Sequence, residues 1–243
     1  MIDTIRSEFL KLRTTRTTGG LAAGLLALTG LAIWGSVVSA SPAELAIGLS
    51  STEVLLPLLL VIPVFVLILG IRSFTDEFRH GSVVPTFLAT PERRRVLVAK
   101  FVVIAGTAAV FALASLSFGT GLAMAFLAAK GISAPVAWGA ISILAGKMLL
   151  LTALWSTLGV AIGALIRHQV AAIAGTLAWF LIGEGFATSI APASARWLPG
   201  QAGAIALGLD GGTPAIVGWV GLAVWATLGA ALAAMTLTRR DIV

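Results

Sequence analysis

Long apolar runs alternate with short polar connections along this chain, and six of the runs reach the ~20 residues a helix needs to cross a hydrocarbon core. They lie at residues 20–38, 54–71, 101–129, 136–166, 170–189 and 215–237. Period-two alternation is absent, and barrel strands would be half this length, so each run predicts a helix. The third run is long enough to tilt or to project from the bilayer. Ahead of the first, residues 1–16 place Met1, Ile2, Ile5, Phe9 and Leu12 on one helical stripe, with Asp3, Arg6, Ser7, Lys11, Arg13 and Thr14 elsewhere. An apolar stripe beside a basic face suits a helix lying along a membrane surface. A solvated basic leader that only sets orientation is the other reading.

Composition agrees with the pattern. Hydrophobic residues make up 58% of the chain and charged residues only 11%, and mean hydropathy is +1.05. Soluble domains carry about 25% charged residues, so this chain has too few to cover a water-facing surface. The expectation is an all-α integral membrane protein with six transmembrane helices, a single domain over residues 1–243. The net charge of +6 would suggest nucleic acid in a soluble protein. Here the cations flank apolar spans, so membrane lipids and a cytoplasmic partner are the expected counterparts and nucleic acid is not. Cysteine is absent, which excludes disulfides and thiolate chemistry.

Cations also orient the spans. With both termini inside, the cytoplasmic segments hold thirteen Lys and Arg residues, the external segments hold only Lys130 and Arg196, and Lys147 lies within the fourth span. That bias predicts an N-in, C-in topology. The first run, ending near Val38, Ser39 and Ala40, has some features of a cleavable signal. It is long for that purpose and five more spans follow, so a retained helix is expected.

The connection at 72–100 is the most patterned of the polar segments. Phe74 and Phe78, four apart, share a face if the second span continues as a helix, and Gly81 permits a sharp break. Ser82 can cap a new helix carrying Val83, Val84, Phe87 and Leu88, with Pro85 still in its first turn. Thr90, Pro91 and Glu92 then form a helix start, with an acid at the positive helix end. A short apolar helix held between two firmly started spans is suited to filling a groove on another protein. A surface loop whose apolar residues dip into headgroups is the other reading of those residues.

The run Glu77, Phe78, Arg79, His80, Gly81, Ser82, followed by Leu88, Ala89, Thr90, Pro91, Arg93 and Lys100, resembles the signature of permease subunits of type-2 ATP-binding-cassette exporters. The resemblance extends over the chain, from N-terminal helix to short polar C-terminus. It implies that 82–89 is a coupling helix docking into a nucleotide-binding ATPase subunit, and that 1–16 is the elbow helix. It implies that 187–214 is an external, re-entrant segment, and that a second permease subunit, identical or related, completes the pathway. ATP and Mg would be bound by the partner ATPase, with no cofactor in this chain, in the inner membrane of a bacterial cell. Glu77, Arg79, Gly81, Ser82, Val83, Val84, Phe87, Leu88, Pro91 and Arg93 are then the coupling and docking residues.

Catalytic patterns are missing. A phosphate-binding loop needs G-x-x-x-x-G-K-[ST]; around Gly146 and Lys147 the required positions hold Ile141 and Met148. His80 and His168 have no zinc-protease spacing, and Ser115, Ser117 and Ser156 have no histidine in any span to serve as base. The chain is therefore expected not to be an enzyme, with no catalytic or metal residues. Two ionisable residues interrupt spans. Lys147 can snorkel to external headgroups, while Glu184, with its shorter reach, needs a cation or an aqueous cavity. An external gate formed by Lys147 and Glu184 is one reading, and simple interfacial exposure is the other. The functional expectation is a permease subunit coupling ATP hydrolysis elsewhere to efflux of an amphipathic, drug-like or lipid-like substrate. The alternative is a non-transport scaffold that recruits a cytoplasmic partner through 72–100.

The cation bias makes topology testable. Single cysteines introduced at residue 1, within 79–93 and at residue 243 should be labelled only from the cytoplasmic side, and cysteines near 44 and 207 only from outside. An externally labelled 79–93 segment would overturn the topology.

Overall fold

A computed structural model describes residues 1–41, 52–82, 88, 92–132 and 135–239, with the backbone alone for 238 and 239. Helix is the only regular structure among these residues, with no strand. In chain order the helices are α1 (Ile2–Thr14), α2 (Arg16–Ser39), α3 (Leu58–Arg79), α4 (Arg93–Ala129), α5 (Trp138–Ile166), α6 (Gln169–Ile190), α7 (Pro192–Ala195), α8 (Pro199–Leu207) and α9 (Ala215–Arg239). Six of them, α2 to α6 and α9, are long and apolar enough to cross a membrane, as the run lengths predict. A 37-residue α4 is about 55 Å long at 1.5 Å per residue, well beyond a ~30 Å hydrocarbon core.

Helix ends follow local chemistry. At the end of α3, Gly81 takes φ +67°, the Ser82 N–H bonds to the Glu77 carbonyl at 3.0 Å and the Gly81 N–H to the Phe78 carbonyl. This is the doubled closure that a left-handed residue after a helix permits, and glycine adopts it without steric cost. Residues 72–79 therefore continue α3 and 93–100 open α4, so the segment treated as one connection is largely helical at both ends. Val83, Val84, Phe87 and Pro91 lie outside the described residues. Leu88 is described and is 77% exposed.

By contact, the chain divides into two units. One comprises Leu10–Val66 and Ala105–Ala153. In it α2 buries a single stripe, Leu25, Thr29, Ile33 and Val37, and is apolar around the rest of its circumference, as expected for a helix facing lipid on its other sides. Small residues set the spacing: a Cβ on Gly119 would come within 3.1 Å of Leu58 and 3.4 Å of Thr29. The Lys130 ammonium donates to the Val37 carbonyl at 2.8 Å, placing a cation at the negative end of α2.

The other unit comprises Met1–Phe9, Leu67–Ile104 and Leu154–Val243. Its seam is a backbone-to-backbone approach between α3 and α5. A Cβ on Gly70 would stand 2.7 Å from the Ser156 carbonyl and 2.8 Å from the Val160 nitrogen. Added Cβ atoms on Gly159 and Gly163 would run into the carbonyls of Leu67 and Ile71. Without a hydrophobic driving force inside lipid, such close contact is the main source of helix association. The same device joins α8 to α9, where Gly218 lies against the backbone of Ala202 and Ala206.

Gly163→Leu should force α3 and α5 apart, lowering stability by about 1–3 kcal/mol, as overpacking does. The expected reading is a lower thermal midpoint for the detergent-solubilised protein. Gly146→Ala, with nothing within 4 Å of the new methyl, should leave the midpoint unchanged or raise it.

Candidate functional site

Within the second of these units, α1, α3 and α4 bring three charges together. Lys100, in the second turn of α4, is 1% exposed; Glu8 of α1 and Glu77 in the last turn of α3 are each 5% exposed. The Lys100 ammonium has three N–H donors, and all three are used. They go to Glu8 Oε2 at 2.6 Å, Glu77 Oε1 at 2.9 Å and the Ser73 carbonyl at 2.9 Å. The Phe74 ring, itself fully buried, lies 5.1 Å from the nitrogen and adds a cation–π contact. Buried charges persist only when paired and hydrogen-bonded, and this arrangement meets that condition. It joins the N-terminal helix to the end of one span and the start of the next, at the two ends of the 80–92 connection.

The remaining sequence-identified residues are distributed around it. Arg79 is exposed and donates to Gln169 Oε1 at 3.1 Å. Arg93 donates to the Leu237 carbonyl at 2.7 Å, a cation on the C-terminal turn of α9. Gly81 and Ser82 close α3 as described above. Glu184 is 3% exposed, and both carboxylate oxygens are engaged by the first turn of α8. Gly200 N–H donates at 2.7 Å and Gln201 N–H at 3.2 Å. A side chain at Gly200 would collide with this carboxylate. Lys147 is half-buried and belongs to the other unit; the described partners of the Glu184 carboxylate are backbone N–H groups.

Two residues escape the sequence reading. Glu8 lies three residues after Ile5 and four before Leu12, on the side where those two are half-buried, while Ile2 and Phe9 of the same apolar stripe are exposed. An acid set among apolar residues at helical spacing is the signal that was available. Arg167 gave no such signal. It stands at the αL position that ends α5, φ +59°, its N–H bonded to the Gly163 carbonyl at 3.1 Å, where glycine is the usual choice. An L-residue there costs on the order of 1 kcal/mol. Its guanidinium lies 5.0 Å from the Phe78 ring.

The same unit contains an apolar cavity of about 550 Å³, lined among others by Leu158, Ile162, Trp179, Phe180, Trp225 and Leu232. Its polar atoms are satisfied internally: Thr176 Oγ1 donates to the Ala172 carbonyl and Trp225 Nε1 to the Trp197 carbonyl. The cavity can therefore hold hydrocarbon and offers no polar recognition.

Comparison with known protein families matches residues 4–183 to the family described as ABC-2 family transporter protein. No curated protein matches the chain. Since the match spans well over half of the sequence, the chain belongs to the ABC-2 transporter family. It is a multi-pass membrane protein, a membrane transport component and not itself an enzyme, of a family whose permeases generally partner with an ATP-binding subunit.

Removing one member of the charge cluster leaves the others buried without compensation. Lys100→Met should destabilise the protein by about 3–5 kcal/mol, read as loss of monodisperse protein in detergent. The triple variant Glu8→Gln, Glu77→Gln, Lys100→Met should recover a large part of the loss, because it removes the uncompensated charge.

Proposed function

We propose that the chain is the transmembrane permease subunit of an ATP-driven exporter in a bacterial inner membrane. It couples ATP hydrolysis on a separate nucleotide-binding subunit, which holds ATP and Mg, to efflux of an amphipathic, drug-like or lipid-like substrate. The observation that carries this reading is the buried cluster of Glu8, Glu77 and Lys100. A connection that merely joined two spans would be held by apolar packing at lower desolvation cost. Three ionic groups locking both ends of the 80–92 connection to the N-terminal helix suit a part that must move as one body.

In this reading α1 lies on the inner membrane surface with Ile2 and Phe9 toward lipid, and both termini are cytoplasmic. Val83, Val84, Phe87 and Leu88 dock into the ATPase, with Glu77, Arg79 and Arg93 transmitting its movement. A second permease subunit completes the pathway. The exposure of Leu88 suits a docking residue, and the apolar cavity supports a hydrophobic substrate. The 187–214 segment is re-entrant and external, and Glu184 with Lys147 belongs to the gate. Support for the re-entrant placement comes from the Trp225 indole, which donates to the Trp197 carbonyl at 2.6 Å. Trp225 is ten residues into α9, or about 15 Å along it.

The purified chain alone should hydrolyse no ATP and should support hydrolysis only when combined with its nucleotide-binding subunit. Phe87→Ala, removing an aromatic anchor, should weaken that association by about 2 kcal/mol at unchanged membrane level, measured by titration of the two purified components. Saturable hydrolysis by the isolated chain, or wild-type affinity in the variant, would count against the proposal.

A further inference from the structure

We infer that Arg167 is a positioning residue that passes displacement of the coupling segment into the fifth span. This deepens the transport reading above and rests on it. The inference begins with the seam between α3 and α5. Gly159 and Gly163 on α5 and Arg167 just past its end follow one another at four-residue intervals, and each meets α3: Gly159 at Leu67 and Gly70, Gly163 at Ile71, Arg167 at Phe78. The glycines bring backbone against backbone, so this stretch has little freedom to slide. The seam ends at Phe78, next to Glu77 in the ionic cluster and three residues before the Gly81 break. Motion of the segment beyond Gly81 therefore reaches the end of α5 through the Phe78 and Arg167 contact.

Arg167 is also the turn between α5 and α6. His168 caps α6, its Nδ1 accepting from the Ala171 N–H, and Gln169, the first residue of α6, accepts from Arg79. Two contacts thus cross from the end of α3 to this one turn. Midway along, α6 carries a π-helical stretch, Trp179–Gly183, a form that concentrates at functional sites. Glu184 follows directly and is bonded to the start of α8.

Backbone geometry separates this role from a merely structural one. At φ +59° the position favours glycine, and Arg167 stands there with its Nε and Nη2 shut off from solvent. If the turn mattered only as a turn, Arg167→Gly would relieve the backbone and leave function unchanged. If the guanidinium is the relay, Arg167→Gly leaves the fold intact and weakens the link from the coupling segment to α6, leaving only the Arg79 to Gln169 hydrogen bond.

The test uses the full chain, which has no cysteine, carrying Phe186→Cys on the exposed outer part of α6 and assembled with its nucleotide-binding subunit in nanodiscs. The rate of modification by a membrane-impermeant maleimide is compared without nucleotide and after trapping with MgATP and vanadate. In the otherwise unmodified chain the rate should depend on nucleotide. Arg167→Gly should reduce that dependence about tenfold, the order of a coupling between distant sites, at normal membrane level and with ATP hydrolysis retained. Phe78→Leu should reproduce the loss, and Arg167→Lys should restore most of the response by keeping a cation over the ring. Full nucleotide dependence in Arg167→Gly and Phe78→Leu, or none in the unmodified background, would overturn the inference. Glu77→Gln separates the two levels. If it loses the response while both other variants keep it, only the relay is wrong. If it too keeps the response, the coupling reading fails with it.

Discussion

An ammonium group buried among apolar helices is tolerable only when every N–H finds an acceptor and opposite charge lies close by. Lys100 meets both demands with Glu8, Glu77 and the Ser73 carbonyl, and most of what is distinctive in its unit depends on that requirement. The acceptors come from different helices, so satisfying one nitrogen fixes the N-terminal helix, the last turns of α3 and the first turns of α4 together. Apolar packing would allow those elements to slide at little cost. Directional hydrogen bonds to a buried charge do not, because a small shift leaves an ion without compensation.

Glycine supplies the second constraint. Gly70, Gly159 and Gly163 let α3 and α5 approach at backbone distance, and Gly218 does the same for α8 and α9. In lipid the tails compete equally for apolar side chains, so adhesion has to come from surface fit. Ionic closure at the helix ends and close backbone fit along their length thus divide the work. Charges set the register at the ends, and glycines hold the axes together between them.

Glu184 shows how the fold resolves a charge that the sequence made conspicuous. A carboxylate deep in an apolar run needs a cation or an aqueous cavity, and pairing with Lys147 was one of the readings the sequence left open. The structure supplies backbone N–H groups from the first turn of a short helix, whose partial positive charge does a similar job. No pattern of side chains announces such a partner, since the donors belong to peptide groups that every residue carries.

The sequence by itself determined the six spans, their approximate limits, the break at Gly81 and the family resemblance that the match over residues 4–183 bears out. These are local or additive properties: run length against bilayer thickness, charge at span ends, and backbone preferences of single residues. Gly159 and Gly163 stand at the G-x-x-x-G spacing that is frequent in apolar helices, and that spacing does not say which helix they face. Which charges meet was decided by tertiary structure alone. Glu8 and Lys100 are separated by most of three helices in sequence, and Arg167 finds Phe78 only because the glycine seam brings α5 against α3. Pairing of this kind depends on how helices cross in space. A one-dimensional reading can register that a charge needs a partner, but the packing chooses the partner.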